Sequence, residues 1–334
     1  MSARLLCTVL TDPSRAVGLT PDQWTNILTI AHAERLSGTL AHRLTGLILP
    51  PVVHSALESA RLNAEAGRVH ALWEVEMARR ALTPLGCPIV LLKGSAFVAA
   101  GLAAGQGRLI GDLDILVPRS RLDDVEAALL AAGWEWAKPD AYDDMYYRRW
   151  MHELPPLIHT SRDRMIDVHH TILPLTARPR PDAEALIGNA VVLGDGMSIL
   201  SPADIIIHAA AHLFADGELD GGLRNLWDID RLVREFDQDD AFWNSLNQRA
   251  TQHQLGRVVD RALRLAHALY DTPVRTRVRW QWTDALFRAR LLARNGRGQN
   301  TRRPLRFAFY VRSHVLRMPP LLLVRHLWIK AFGK

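Results

Sequence analysis

Between Gly111 and Pro118 the chain reads Gly-Asp-Leu-Asp-Ile-Leu-Val-Pro, an apolar strand carrying two carboxylates. Side chains of a strand alternate between its faces, so Asp112 and Asp114 project to one side while Leu113, Ile115 and Val117 enter a core. Like charges this close on an apolar strand are costly, through mutual repulsion and lost hydration. A cation between them offsets both costs, and an all-oxygen ligand set suits Mg²⁺ or Mn²⁺. Met165-Ile166-Asp167-Val168-His169 has the same alternation, with Ile166 and Val168 on one face and Asp167 and His169 on the other. Were the two strands neighbours, three carboxylates would converge. Such a set can hold two divalent ions about 3.5–4 Å apart for in-line displacement at phosphorus.

The surrounding pattern makes this an α+β chain. Helices are expected over 20–48 and 55–85, the second ended by Gly86-Cys87-Pro88. Ile89–Leu92 is a short buried-strand pattern that runs into Lys93-Gly94-Ser95, an Ala-rich helix over 96–104 and a turn at Gly105 and Gly107. A glycine between strand and helix lets a phosphate approach the backbone N–H groups. The spacing is not that of a P-loop. A helix over 120–132 closes at Gly133, residues 145–173 read as two strands about a turn at 160–164, and 191–193 pairs with 197–200 about Gly194-Asp195-Gly196. Ser201-Pro202 then supplies an N-cap and a proline at the first helical position. Helices follow over 202–215, 222–236, 239–252 and 255–270, and the last sixty residues are helical apart from Gly296-Arg297-Gly298 and Pro319-Pro320. The expected organisation is a helical region 1–85, a mixed α/β core 86–200 and a helical region 201–334.

Composition narrows the class. With 334 residues, 48% apolar and 23% charged, the chain is globular and long enough to bury a core. It has no apolar run near the ~18 residues of a membrane span. Leu5–Leu10 is too short for a secretory signal, and two cysteines make neither a disulfide framework nor a metal spacing. A cytoplasmic location is therefore expected. From Arg275 to Lys334 there are 15 Lys and Arg against one acid, Asp284, while the preceding body is acidic. A basic 275–334 tail attracts an anion: a membrane surface, RNA, a nucleotide or the acidic body itself. Its mixture of bulky apolar and basic residues over 305–312 and 321–330 suits a helix lying on a membrane surface, which adds a membrane-peripheral expectation.

The string Leu91-Leu92-Lys93-Gly94-Ser95, then Arg108-Leu109-Ile110-Gly111-Asp112-Leu113-Asp114-Ile115-Leu116-Val117, then Ile166-Asp167-Val168-His169 resembles the polymerase β-like nucleotidyltransferase superfamily. Within it the chain looks like the bacterial uncharacterised nucleotidyltransferase family over roughly residues 25–270, with a longer gap from Ser95 to Asp112 than most of the superfamily has. Members occur near exopolysaccharide and lasso-peptide biosynthesis genes. The resemblance implies a nucleotidyltransferase-like mixed sheet between helical regions and transfer of NMP from an NTP, ATP first among donors, to a hydroxyl or phosphate of an unidentified acceptor. By it, Asp112, Asp114 and Asp167 would ligate Mg²⁺ and Asp167 would help deprotonate the acceptor. Gly94 and Ser95 would hold the β- and γ-phosphates, with Lys93 and Arg108 offsetting triphosphate charge. Two other classes stay open: a toxin-like modifier of RNA or protein, and a non-catalytic nucleotide-binding module.

Several residues read two ways. Arg224 and Asp228, four apart on a helix, form either a surface ion pair or part of the cleft wall. His208 and His212 share a helix face, but Ala209 stands where a zinc protease would need Glu. They are therefore packed core histidines, or His212 lines the nucleotide cleft. His152, His159, His169 and His170 are scattered and show no metal spacing. Trp134, Trp136, Trp150, Trp227 and Trp243 fall at core-like positions.

Overall fold

The computed structural model describes residues 2–317 except 139, 195, 216–218 and 276–278. Seven short strands make one mixed sheet: β1 Val90–Leu91, β2 Leu113–Leu116, β3 Trp134–Trp136, β4 Leu157–His159, β5 Met165–His169, β6 Val191–Val192 and β7 Ser198–Ile199. Their order is β3-β4-β5-β2-β1-β7-β6. The middle strand, β2, runs antiparallel to β1 and parallel to β5. All four of its residues are buried, as expected for a strand covered on both faces. The β2–β5 register sets Asp114 opposite Asp167 and Leu116 opposite His169.

Helices α1 Ser2–Thr11, α2 Pro21–Ala33, α3 Ser37–Arg43 and α4 Pro51–Leu82 precede the sheet. Between strands lie α5 Lys93–Ala99, α6 Leu122–Ala131, α7 Ala141–Trp150 and α8 Ala183–Gly188. After the sheet come α9 Pro202–Ala215, α10 Gly222–Phe236, α11 Asp240–Gln252, α12 Gly256–Tyr270, α13 Trp282–Leu291 and α14 Arg303–Arg317. Helix α2 starts at a capping box, Thr20 with Gln23, with Pro21 in its first turn. Helix α4 buries Val53, Leu57, Ala64, Ala71, Val75, Ala78 and Leu82, an i, i+3, i+4 stripe that packs along α3, α5 and α6. One hydrophobic core joins Leu6 of α1, Ile27 of α2, Leu91 of β1, Ile115 of β2 and Trp227 of α10, and α1 packs on α12. Among the described residues no helix is long and apolar enough to cross a membrane.

Three segments differ from the sequence reading. The expected helix over 20–48 is broken after Ala33, where Arg35 takes a left-handed φ of 56° with no glycine or proline to announce it. The Ala-rich helix begins earlier, at Lys93, and stops at Ala99. Residues 145–150, expected in a strand, belong to α7. Their aromatic run favours a strand locally, but Arg148 reaches Asp144 one turn back and Glu126 of α6, each at 2.8 Å. Trp134, Trp227 and Trp243 are core residues as expected, whereas Trp136 is exposed. Pro319-Pro320 and 321–330 lie outside the described residues.

The basic segment has found one of its anions. Arg290 and Arg294 both bridge to Asp220, Arg294 also to buried Glu34, and Arg275 to Asp237 and Asp240. The acidic body thus neutralises part of the tail.

Candidate active site

The loop from 105 to 112 crosses from α5 to β2 and is clamped against α3. Gly107, with φ 65°, lies so close to the start of α3 that a Cβ there would stand 2.6 Å from the Thr39 backbone nitrogen. Thr39 Oγ1 in turn donates to the Gln106 carbonyl at 3.3 Å. The clamp fixes the following residue, Arg108. A Cβ on Gly94 would meet Arg108 Nε at 2.8 Å, so the glycine leaves the space that the guanidinium crosses. Helix α10 packs on the 103–105 turn and presents Asp228 to the same arginine.

Asp228 is the hub of a buried ion-pair group. One oxygen accepts from Arg108 and the other from Arg224 Nε at 3.1 Å. Arg224, 3% exposed, also donates to Thr39 Oγ1 and to the Ala104 carbonyl. Of the two readings of the Arg224–Asp228 pair, the surface one is excluded. Burial lowers the Arg224 pKa to about 10 against the opposing pull of Asp228, with Arg108 adding to the drop.

At the centre, ligand oxygens of Asp112, Asp114 and Asp167 lie within 4.8 Å of one another. Asp112 is exposed just before β2, Asp114 is 2% exposed, and Asp167 lies between these extremes. Oδ1 of Asp114 accepts from Lys93 Nζ at 2.6 Å and meets His169 Nε2 at 2.9 Å. Burial alone would raise the Asp114 pKa, but Lys93 and His169 reverse that and hold it well below the ordinary carboxyl range. Lys93 answers in kind: burial would depress its ammonium, yet Asp114, Asp112 and Glu153 raise it. Its backbone sits at a left-handed φ of 49°, a conformation that costs a non-glycine residue roughly 1–3 kcal/mol and is concentrated at functional sites.

Asp167 is the uncompensated member. Its Oδ1 is buried with no hydrogen-bond partner among the described residues. Burial, then the charges of Asp114, Glu153 and Asp112, push its pKa up to about 7, with only His169 opposing. An orphaned carboxylate oxygen beside two further carboxylates is the arrangement that a hard divalent cation would complete.

Asp112, Asp114 and Lys93 open onto a cavity of about 750 Å³. Lys93, Gly94, Arg108, Asp112, Asp114, Arg224 and His212 line it. Ser95, Asp167 and Asp228 are not among its lining residues. Ser95 is buried in α5, its hydroxyl 3.4 Å from the Asp112 carbonyl, so it steadies the turn rather than facing the cavity. Burial, with Lys93 adding, lowers the His212 pKa to about 3, so its imidazole is neutral. His208 is buried nearby and likewise driven down by burial.

The cavity also has walls that the sequence did not mark: Arg35, Asp220, Asn225 and Arg294. Arg35 and Arg294 are far apart in sequence and no motif joins them. The fold further gathers His152, Glu153 and His169, whose ligand atoms lie within 4.8 Å of one another. The i+2 spacing of Asp167 and His169 was the available signal for the last; the other two come from a separate segment.

A family model described as uncharacterised nucleotidyltransferase matches residues 20–271. The chain belongs to that family. No curated protein and no solved structure matches it. The nucleotidyltransferase family makes the chain a transferase of nucleoside monophosphates, an activity that generally draws on an NTP and a divalent metal. The matched residues contain β1 to β7 and α9 to α12, so the acidic group and every cavity-lining residue named above except Arg294 fall inside the family region of this nucleotidyltransferase.

Proposed function

We propose that the protein moves a nucleoside monophosphate from an NTP to a hydroxyl or phosphate oxygen of an acceptor in a Mg²⁺-dependent reaction. Asp167 carries this reading: its Oδ1 is buried without a partner among the described residues, and a carboxylate oxygen of Asp167 lies within 4.8 Å of oxygens of Asp112 and Asp114. Asp112, Asp114 and Asp167 would hold the ion. When bound, Mg²⁺ supplies positive charge to the triphosphate and acidity to the acceptor hydroxyl.

The protein's own residues do the remainder. Lys93, Arg108 and Arg224 border the cavity as fixed cations and offset charge on the phosphates. Gly94 gives the triphosphate a wall without a side chain. Asp228 holds Arg108 and Arg224 in place and acts through them. The acceptor oxygen forms its bond to the α-phosphorus as the bond to the bridging oxygen breaks and pyrophosphate leaves. Asp167, held as a carboxylate beside the ion, is suited to receive the acceptor's proton. His212, neutral, contributes shape and a hydrogen-bonding nitrogen.

ATP is the first donor to test, with label in the α-phosphate, offered with Mg²⁺ to peptide, sugar and RNA acceptors. Label should move to one acceptor class with pyrophosphate released, and Asp112→Asn and Asp114→Asn should lose the transfer. Transfer at wild-type rate in both variants would overturn the assignment.

A further inference from the structure

Beside the three aspartates, on the same face of β5, stands a second donor set of different chemistry. Glu153 and His169 face each other in an antiparallel bridge. The Leu154 N–H donates to the Val168 carbonyl, and the His170 N–H to the His152 carbonyl, each at 2.9 Å. Regular pairing resumes at Leu157 opposite Ile166. Leu154-Pro155-Pro156 therefore opposes only Asp167-Val168, a bulge of one residue whose prolines offer no N–H. The bulge separates the β4–β5 ladder from the short bridge that positions Glu153 against His169.

Glu153 Oε2 lies 3.3 Å from His169 Nδ1 and 3.7 Å from His152 Nε2. Two ligands held about 2.0–2.1 Å from one tetrahedral ion stand about 3.3 Å apart. His169 is 1% exposed, and its Nδ1 has no hydrogen bond among the described residues, because the approach to Glu153 lacks the alignment of one. Its other nitrogen, Nε2, is anchored on Asp114 at 2.9 Å. A carboxylate on one ring nitrogen and an ion on the other is the usual arrangement around a metal-ligating histidine.

We propose that His152, Glu153 and His169 form a transition-metal site, with Zn²⁺ the preferred ion, distinct from the all-oxygen aspartate group. Two imidazoles and one carboxylate select a borderline ion, whereas Asp112, Asp114 and Asp167 select a hard one. An ion on Nδ1 leaves the proton on Nε2, pointing at Asp114. The site thereby fixes the orientation of a carboxylate in the neighbouring group. Its occupancy does not depend on which reaction the cavity performs.

The test uses the full-length protein, stripped with a chelator and then kept in excess Mg²⁺ to occupy the aspartates. Co²⁺ is titrated in and followed by its visible absorption. One Co²⁺ per chain should bind and be displaced by Zn²⁺. Glu153→Gln, which keeps shape, and His152→Ala should each weaken binding at least tenfold, with circular dichroism confirming the fold. Asp112→Asn should leave Co²⁺ binding intact. Absence of Co²⁺ uptake, unchanged uptake in both His152→Ala and Glu153→Gln, or loss of uptake in Asp112→Asn would each overturn the site.

Discussion

Binding of a divalent ion at the aspartates should expel a proton from Asp167. The carboxyl titrates near 7 instead of 3.8 because it is buried and faces Asp114, Glu153 and Asp112. It is then about nine-tenths protonated at pH 6 and about one-tenth at pH 8. An ion that demands the carboxylate form should release about 0.9 proton at pH 6 and about 0.1 at pH 8. Its affinity should fall roughly tenfold for each pH unit below 7. Calorimetric titration of Mn²⁺ in buffers of different ionisation enthalpy counts the protons, and Asp167→Asn should abolish the count. Equal release at both pH values, or release that persists in Asp167→Asn, would refute the reasoning. The same shift predicts a stability signature. A raised folded-state pKa means that the folded protein holds the proton more tightly than the unfolded chain. The stabilisation is full below pH about 4 and is lost as pH rises through about 7, up to roughly 4 kcal/mol in all. Relative to Asp167→Asn, the metal-free wild type should therefore melt lower at pH 8 than at pH 6.

Other consequences follow from the same contacts. Asp114→Asn strands a buried ammonium and weakens the His169 anchor, so urea unfolding should show a loss of about 3 kcal/mol; a loss under about 1 kcal/mol would mean that the Lys93–Asp114 pair does not hold the start of α5 to β2. Asp228→Asn removes the charge between Arg108 and Arg224, and steady-state kinetics should show a higher KM for the NTP with a smaller change in kcat. A mainly kcat effect would place Asp228 in the chemistry itself. Gly107→Ala forces a side chain into the start of α3 at a left-handed φ, which should cost at least about 2 kcal/mol in thermal or urea unfolding. Wild-type stability in that variant would show that the loop is not clamped there.

Legibility in the sequence followed the range of the interactions. The β2 carboxylates, the β5 alternation and helices α9 to α12 were readable because each depends on local periodicity, and Ser201-Pro202 marked where strands end. The pairing of β2 with β5 was conditional in the sequence and is set in the structure by register, which brings Asp114 to Asp167. Local reading failed where a distant partner overrides propensity, as in α7, whose Arg148 is held by Glu126 from α6. It also failed at Ser95, which the motif sends to the phosphates while burial turns it to the Asp112 carbonyl. Arg35, Asp220, Asn225 and Arg294 joined the cavity only through packing of α2, α10 and the segment after α13. Asp228 was found as a helix neighbour of Arg224, but its bond to Arg108, 120 residues away, was invisible. The meeting of His152, Glu153 and His169 needed a bulge at Pro155-Pro156, whose prolines mark a break in the strand but not which side chains it brings together.

Asp112 just before β2, Asp114 on β2 and Asp167 on β5 should together hold divalent metal beside a triphosphate-binding cavity. Crystals soaked with Mn²⁺ and a non-hydrolysable NTP, measured at the manganese absorption edge, test it most directly. An anomalous peak bounded by Asp112, Asp114 and Asp167, with triphosphate oxygens beside it and Lys93 and Arg108 against the phosphates, is the predicted result. Triphosphate bound elsewhere, or a well-ordered nucleotide in this cavity with no anomalous density at the aspartates, would contradict it.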